Sequence, residues 1–185
     1  MTNDIIKDAD AHMNKSVAAL AHEFSTVRTG RASGSILEKI QIDYYGTPTP
    51  LLQIAGVSSP EPQLLVISPY DRSAMGAIEK AILASDLGLN PSNDGQVIRL
   101  PFPPLTEERR KELVKLVKHY AEEARVAIRN IRRDANERMK RAEKDAEISQ
   151  DDLRRAEADI QKLTDTHIRD IDEALKRKEA EIMEV

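Results

Sequence analysis

Arginines spaced for a single helix face are the residues in this chain whose type and pattern could do chemistry. Arg125, Arg129 and Arg132 are followed by Asn136, at steps of four, three and four, with Arg133 beside the row. Side chains three and four positions apart share a helix face, so this spacing lines up guanidinium forks. A planar fork grips phosphate oxygens two at a time. The chemistry predicted is ionic recognition of phosphate and of folded RNA shape. Arg28 and Arg31 extend the candidate set from another part of the chain. Residues 125–141 hold seven Lys or Arg against two Asp or Glu, although the whole chain carries a net charge of -4. A locally basic helix on an acidic chain argues for one oriented contact rather than indiscriminate coating of nucleic acid. The competing explanation is a solvated face whose arginines pair with neighbouring acids. Along this row only Glu122 is placed to do so.

Other chemistries find little support. With no Cys, disulfides, zinc knuckles and thiol catalysis are excluded. There is no G-x-x-x-x-G-K-[ST] phosphate loop and no G-x-G-x-x-G, so no nucleotide site is expected. His22-Glu23 begins like H-E-x-x-H, but position 26 is Thr. None of His12, His22, His119 and His167 has Glu three residues before it, so the di-iron bundle motif is missing as well. His167 falls on an apolar helix seam and is expected as a buried core histidine. Asp151 and Asp152 suit a helix start better than an acid pair. We therefore expect no catalytic residues, no metal and no cofactor. The six aromatics show no base-stacking cluster along the sequence.

The elements that must carry these arginines are long. From Thr106 to Glu147 there is no Pro or Gly, Thr106 can cap, and Glu107 and Glu108 suit the first turn. An apolar stripe runs Leu113, Val117, Tyr120, Ala124, Ala127, Ile131, Ala135, Met139, Ala142 and Ala146, the seam of a helix packed on other helices. The arginine row sits roughly 120° from it and is expected to face outward. Residues 3–28 read as a first helix, with Ile6, Ala9, Met13, Val17, Leu20, Phe24 and Val27 inward and a stop at Gly30. Ser149 to Asp152 has capping-box spacing and opens a third helix.

Between them the texture changes, because all seven Gly fall in 30–95 and all nine Pro in 48–104. Residues 36–45, 51–57, 63–68 and 96–100 look like strands, with a turn at Gly46-Thr47-Pro48 and a short helix from Asp71 to Ser85. The expected fold is α+β: a long antiparallel three-helix bundle (1–30 and 105–185) with an inserted β/α/β domain (31–104). Two chain crossings, Gly30-Arg31 and Pro104-Leu105, form a candidate hinge. The N-terminus lacks the basic start and apolar run of a signal peptide, and no apolar run approaches ~18 residues. A soluble cytoplasmic protein is expected.

The chain resembles the bacterial ribosome recycling factors over its whole length. The residues that carry the likeness are Arg28-Thr29-Gly30-Arg31-Ala32, Tyr44-Tyr45-Gly46-Thr47-Pro48-Thr49-Pro50-Leu51 and Ala84-Ser85-Asp86-Leu87-Gly88-Leu89-Asn90-Pro91. Pro104-Leu105-Thr106-Glu107-Glu108-Arg109-Arg110 and Arg129-Asn130-Ile131-Arg132-Arg133-Asp134 complete the set. The resemblance implies an L-shaped, tRNA-sized monomer that binds the post-termination ribosome. It implies contact with large-subunit ribosomal RNA through Arg28, Arg31, Arg129 and Arg132, and also Arg110 and Arg133. The second domain would face the small subunit and elongation factor G, which supplies GTP hydrolysis and drives the subunits apart. The alternative from another class is a helical adaptor that never touches RNA, with Arg129 and Arg132 both held in salt bridges.

Overall fold

The computed structural model describes residues 1–184. The chain divides into two compact units, Met1–Phe24 with Val114–Glu179, and Ser25–Leu113 with the residues from Ala180 onward.

The first unit is built from three helices, α1 (Thr2–Ser25), α4 (Glu107–Lys144) and α5 (Gln150–Met183). Along α4 the α5 partners descend in number as α4 ascends: Lys118 faces Glu179, Arg125 faces Asp172, and Arg132 faces Gln161. That order makes α4 and α5 antiparallel. Ile5 and Ala9 of α1 pack with Ala135 and Met139 of α4 and with Ala156 and Ile160 of α5, and Asp8 meets Arg138 at 2.6 Å. The start of α1 thus lies against the end of α4, the up-down-up order of a three-helix bundle. Alanines on the seam let the helices approach closely. The fully buried Met13, Ile128, Met139 and Ile160 each contribute roughly 1.5–3 kcal/mol by burial.

Caps set the ends of these helices. Thr106 Oγ1 accepts from the Arg109 N–H at 3.1 Å. Ser149 and Asp152 form the reciprocal box, Asp152 N–H to Ser149 Oγ at 3.0 Å and Ser149 N–H to the Asp152 carboxylate at 3.2 Å. Glu147 N–H reaches the Ala142 carbonyl and Ala146 N–H the Glu143 carbonyl, both at 2.9 Å. Ala146 sits between them at φ 59. This is a Schellman ending with a left-handed residue after α4. Ala146 is therefore exposed and outside the helix rather than on the seam. Two other seam positions shift by one: Ala121 and Ile128 are buried where Tyr120 and Ala127 were expected, and these two are half-buried. A helix between two partners buries a wider stripe than a single line of steps describes.

In the second unit a hairpin, β1 (Gln41–Tyr44) with β2 (Thr47–Pro50), precedes a four-stranded antiparallel sheet. Its order is β3 (Ala55–Glu61), β4 (Leu64–Pro69), β6 (Ile98–Pro101), β5 (Ser92–Asn93). Alternation aims Leu65 and Ile67 of β4 and Ile98 and Leu100 of β6 inward, as the register pairs Leu65 with Leu100 and Ile67 with Ile98. Helix α3 (Met75–Ala84) adds Ile78 and Ile82 to the same core. Asp71 caps a 3-10 turn just before it, accepting from Ser73 N–H at 2.9 Å.

Three local expectations are corrected here. Gly34–Leu37 is a 3-10 turn capped by Ser33, so the first strand begins only at Gln41. Leu51–Ile54 is one helical turn, α2, ahead of β3. The hairpin turns on Tyr45 (φ 52) and Gly46 (φ 80), the pair of positive angles that suits the twist of the flanking strands. Thr47-Pro48 then belongs to β2, where Pro is tolerated at a sheet edge.

Candidate nucleic-acid interface

Arg129, Arg132 and Arg133 all project from the second half of α4, in the first unit. The row does not stand clear of the bundle as expected. Arg125, Arg129 and Arg132 are half-buried beside α5, whereas Arg133 is exposed. The reason is that α5 covers one flank of the row.

The four arginines differ in how their charge is spent. Arg125, with its side chain only 21% exposed, holds Asp172 at 2.7 Å and Glu122 at 3.1 Å. Burial opposes its charge, but the hydrogen bonds to Asp172 and Glu122 outweigh that and hold the guanidinium above its ordinary value. Arg129 reaches the other oxygen of Glu122 at 3.3 Å. Hydrogen bonding from Arg125, and after it from Arg129, keeps the Glu122 carboxyl below the usual carboxylate range. Arg132 meets no acid among the described residues; its Nη1 donates to the neutral Gln161 Oε1 at 3.3 Å. Arg133 has no side-chain partner among the described residues. The adaptor alternative expected both Arg129 and Arg132 in salt bridges, and only Arg129 is in one. Asn136, at the end of the row, keeps a buried Oδ1 without a hydrogen-bond partner.

Arg28, Arg31 and Arg110 lie in the second unit. The Arg28 guanidinium donates to the Pro103 carbonyl and lies over the Phe102 ring, 5.7 Å from its centroid. Burial first, then the nearby Arg109 charge, pull it below its ordinary value. One of its five donors is thus committed to the fold, while its buried Nε has no hydrogen-bond partner among the described residues. Arg31 is exposed and meets Glu184 at 3.4 Å. Arg110 is half-buried, and its Nε has no hydrogen-bond partner. Arg31 and Arg110 line one concave pocket, together with Gly30, Pro104 and Leu105. All four hinge candidates therefore border the same cavity.

His167 is buried as expected, with Nε2 at 2.9 Å from Asp10 Oδ1. The sequence hid one aromatic arrangement. Tyr44 and Tyr45 meet edge to face, with centroids 4.6 Å apart, and their hydroxyls donate to Asp71 at 3.0 and 3.3 Å. Nothing in the spacing announced a partner more than twenty residues away. Among the described residues no group of three or more side chains could hold a metal ion. No helix there is long and apolar enough to cross a membrane.

Fold and surface together define an α+β protein, a long helical bundle joined to a small antiparallel-sheet unit, whose distinctive side chains are ionic. The chain belongs to the ribosome recycling factor family, whose model matches residues 20–183. It is 60% identical to the ribosome-recycling factor of Bacillus cytotoxicus, and 59% identical to those of Bacillus thuringiensis and Bacillus anthracis, each over the full length of both chains. Among solved structures it is similar to a ribosome recycling factor in solution, at 45% identity and a TM-score of 0.79, covering 100% of this chain and 98% of that one. It is also similar to a T. thermophilus ribosome recycling factor described with E. coli elongation factor G bound to the E. coli post-termination complex. That match has 48% identity and a TM-score of 0.70, with both chains fully covered.

Proposed function

We propose that this chain recycles ribosomes after termination: with elongation factor G and GTP it separates the subunits of the post-termination ribosome, freeing message and deacylated tRNA. Membership of the family supports this, and the observation that carries the site is the state of the α4 arginines. Among the described residues neither Arg132 nor Arg133 is paired with an acid, on a helix whose opposite side is buried in the bundle core. In this account Arg129, Arg132 and Arg133 contact large-subunit ribosomal RNA, and Arg28, Arg31 and Arg110 supply further contacts. Residues 1–30 and 105–185 serve as the RNA-binding bundle, and residues 31–104 face the small subunit and elongation factor G. Gly30, Arg31, Pro104 and Leu105 form the hinge between these parts.

The chain performs no covalent chemistry. It is a non-enzymatic factor, and the GTP is hydrolysed by elongation factor G. Its contribution is differential binding: a ligand shifts an equilibrium only by as much as its affinity for the two states differs. The chain must therefore bind the assembly on the way to separated subunits better than the resting one. It works as a monomer in the cytoplasm. Light scattering of post-termination ribosomes, mixed with elongation factor G, GTP and this chain, tests the proposal. Scattering falls as subunits separate only when all three are present; a fall without this chain would sink it.

A further inference from the structure

Arg132 differs from its neighbours because a neutral amide holds it. Gln161 of α5 accepts from Arg132 Nη1 through Oε1 at 3.3 Å and donates from Nε2 to Asp165 Oδ1 at 2.9 Å. The chemistry fixes which way this amide points. A guanidinium can only donate and a carboxylate only accept, so Oε1 must face Arg132 and Nε2 must face Asp165. Asp165 lies one turn beyond Gln161 on the same helix, so the amide is set before any ligand arrives. Gln161 therefore orients the guanidinium through one donor, and among the described residues no acid is bonded to Arg132. An acid in the same place would orient it equally well but cancel the charge, as Glu122 and Asp172 do for Arg125.

We infer that Gln161, with Asp165 behind it, is a positioning residue for RNA binding: it presents Arg132 to phosphate in a fixed, un-neutralised state. This rests on the proposal that Arg132 contacts ribosomal RNA. Preorganisation of this kind raises affinity by reducing the freedom lost on binding, and a neutral partner keeps the counterion-release contribution intact.

Three variants measured against isolated large ribosomal subunits over a salt series test it, with circular dichroism confirming helical content. Gln161→Glu pairs a carboxylate with Arg132. We expect affinity to fall about tenfold and the slope of log affinity against log salt to flatten by roughly one, as if one phosphate contact had been lost. Asp165→Asn frees the amide to flip; we expect about a threefold fall with the slope unchanged, because Arg132 keeps its charge and no carboxylate is placed on it. Arg132→Ala is the reference. If Arg132→Ala weakens binding while Gln161→Glu keeps wild-type affinity and slope, Gln161 has no positioning role. If Arg132→Ala itself binds like wild type, the RNA contact it depends on is wrong, which is a different failure.

Discussion

Glu122 Oε1 lies 3.3 Å from Arg129 Nη1, so the acid three residues before Arg125 also reaches the next arginine of the row. A phosphate approaching Arg129 must compete with this carboxylate. Glu122 is exposed, and exposed ion pairs of this sort are weak, so displacement is easy but not free. Glu122→Gln is expected to tighten binding to large ribosomal subunits about threefold and to steepen its salt dependence. Unchanged affinity would mean that Arg129 does not meet phosphate.

Ala146 provides a test of the turn between α4 and α5. Its φ of 59 is the left-handed conformation that glycine adopts without strain. The residue is exposed. Ala146→Gly is expected to stabilise the protein by about 0.5–1 kcal/mol despite the greater freedom of glycine in the unfolded chain. Thermal unfolding measures it; a lower melting temperature would show that the Schellman ending is not strained.

Most of the fold is legible in the local pattern of the sequence. The bundle declared itself through stripes at three and four and through Thr106, Ser149 and Asp152, because capping and amphipathicity are local rules. The strands at β4 and β6 declared themselves for the same reason. What stayed hidden depends on distance in the chain. No local pattern tells that Asp172 neutralises Arg125, that Gln161 meets Arg132, or that Arg28 lies over Phe102. The row could be drawn on a helical wheel, but the covering of its flank by α5 could not. The misplaced hairpin turn has another cause: Gly46-Thr47-Pro48 carries strong turn residues, yet the twist of the strands selected Tyr45-Gly46.

Acid sensitivity follows from carboxylates held below their usual range. The N–H groups of Val97 and Gln96, and then Arg99, hold Asp94 well below it, and the Ser149 backbone N–H and hydroxyl lower Asp152. Because these folded values are depressed, the stability they confer is present above the ordinary aspartate range and is lost as pH falls through the folded values. The melting temperature is expected to be flat from neutrality to about pH 5 and to fall progressively toward roughly pH 2. Asp94→Asn is expected to melt lower than wild type at pH 7 and to differ from it less at the acid end. A constant difference across that range would exclude the Asp94 contacts as the cause.

The bundle core sets the rigidity on which the arginine face depends. Met139 is fully buried and packs in the cluster shared by α1, α4 and α5. Met139→Ala is expected to cost about 2–5 kcal/mol through lost burial and a residual cavity. Denaturant unfolding followed by circular dichroism measures it; a loss below about 1 kcal/mol would mean that the helices close over the gap.

The most direct test of the arginine face is co-sedimentation with large ribosomal subunits over a salt series, for wild type and the double variant Arg132→Ala/Arg133→Ala. Both variants of the chain must show the same helical circular dichroism. We predict weaker binding by the double variant and a salt slope flatter by roughly 1.5, the signature of two lost phosphate contacts. Equal affinity and equal slope would contradict the account and reduce the row to a solvated face of the bundle.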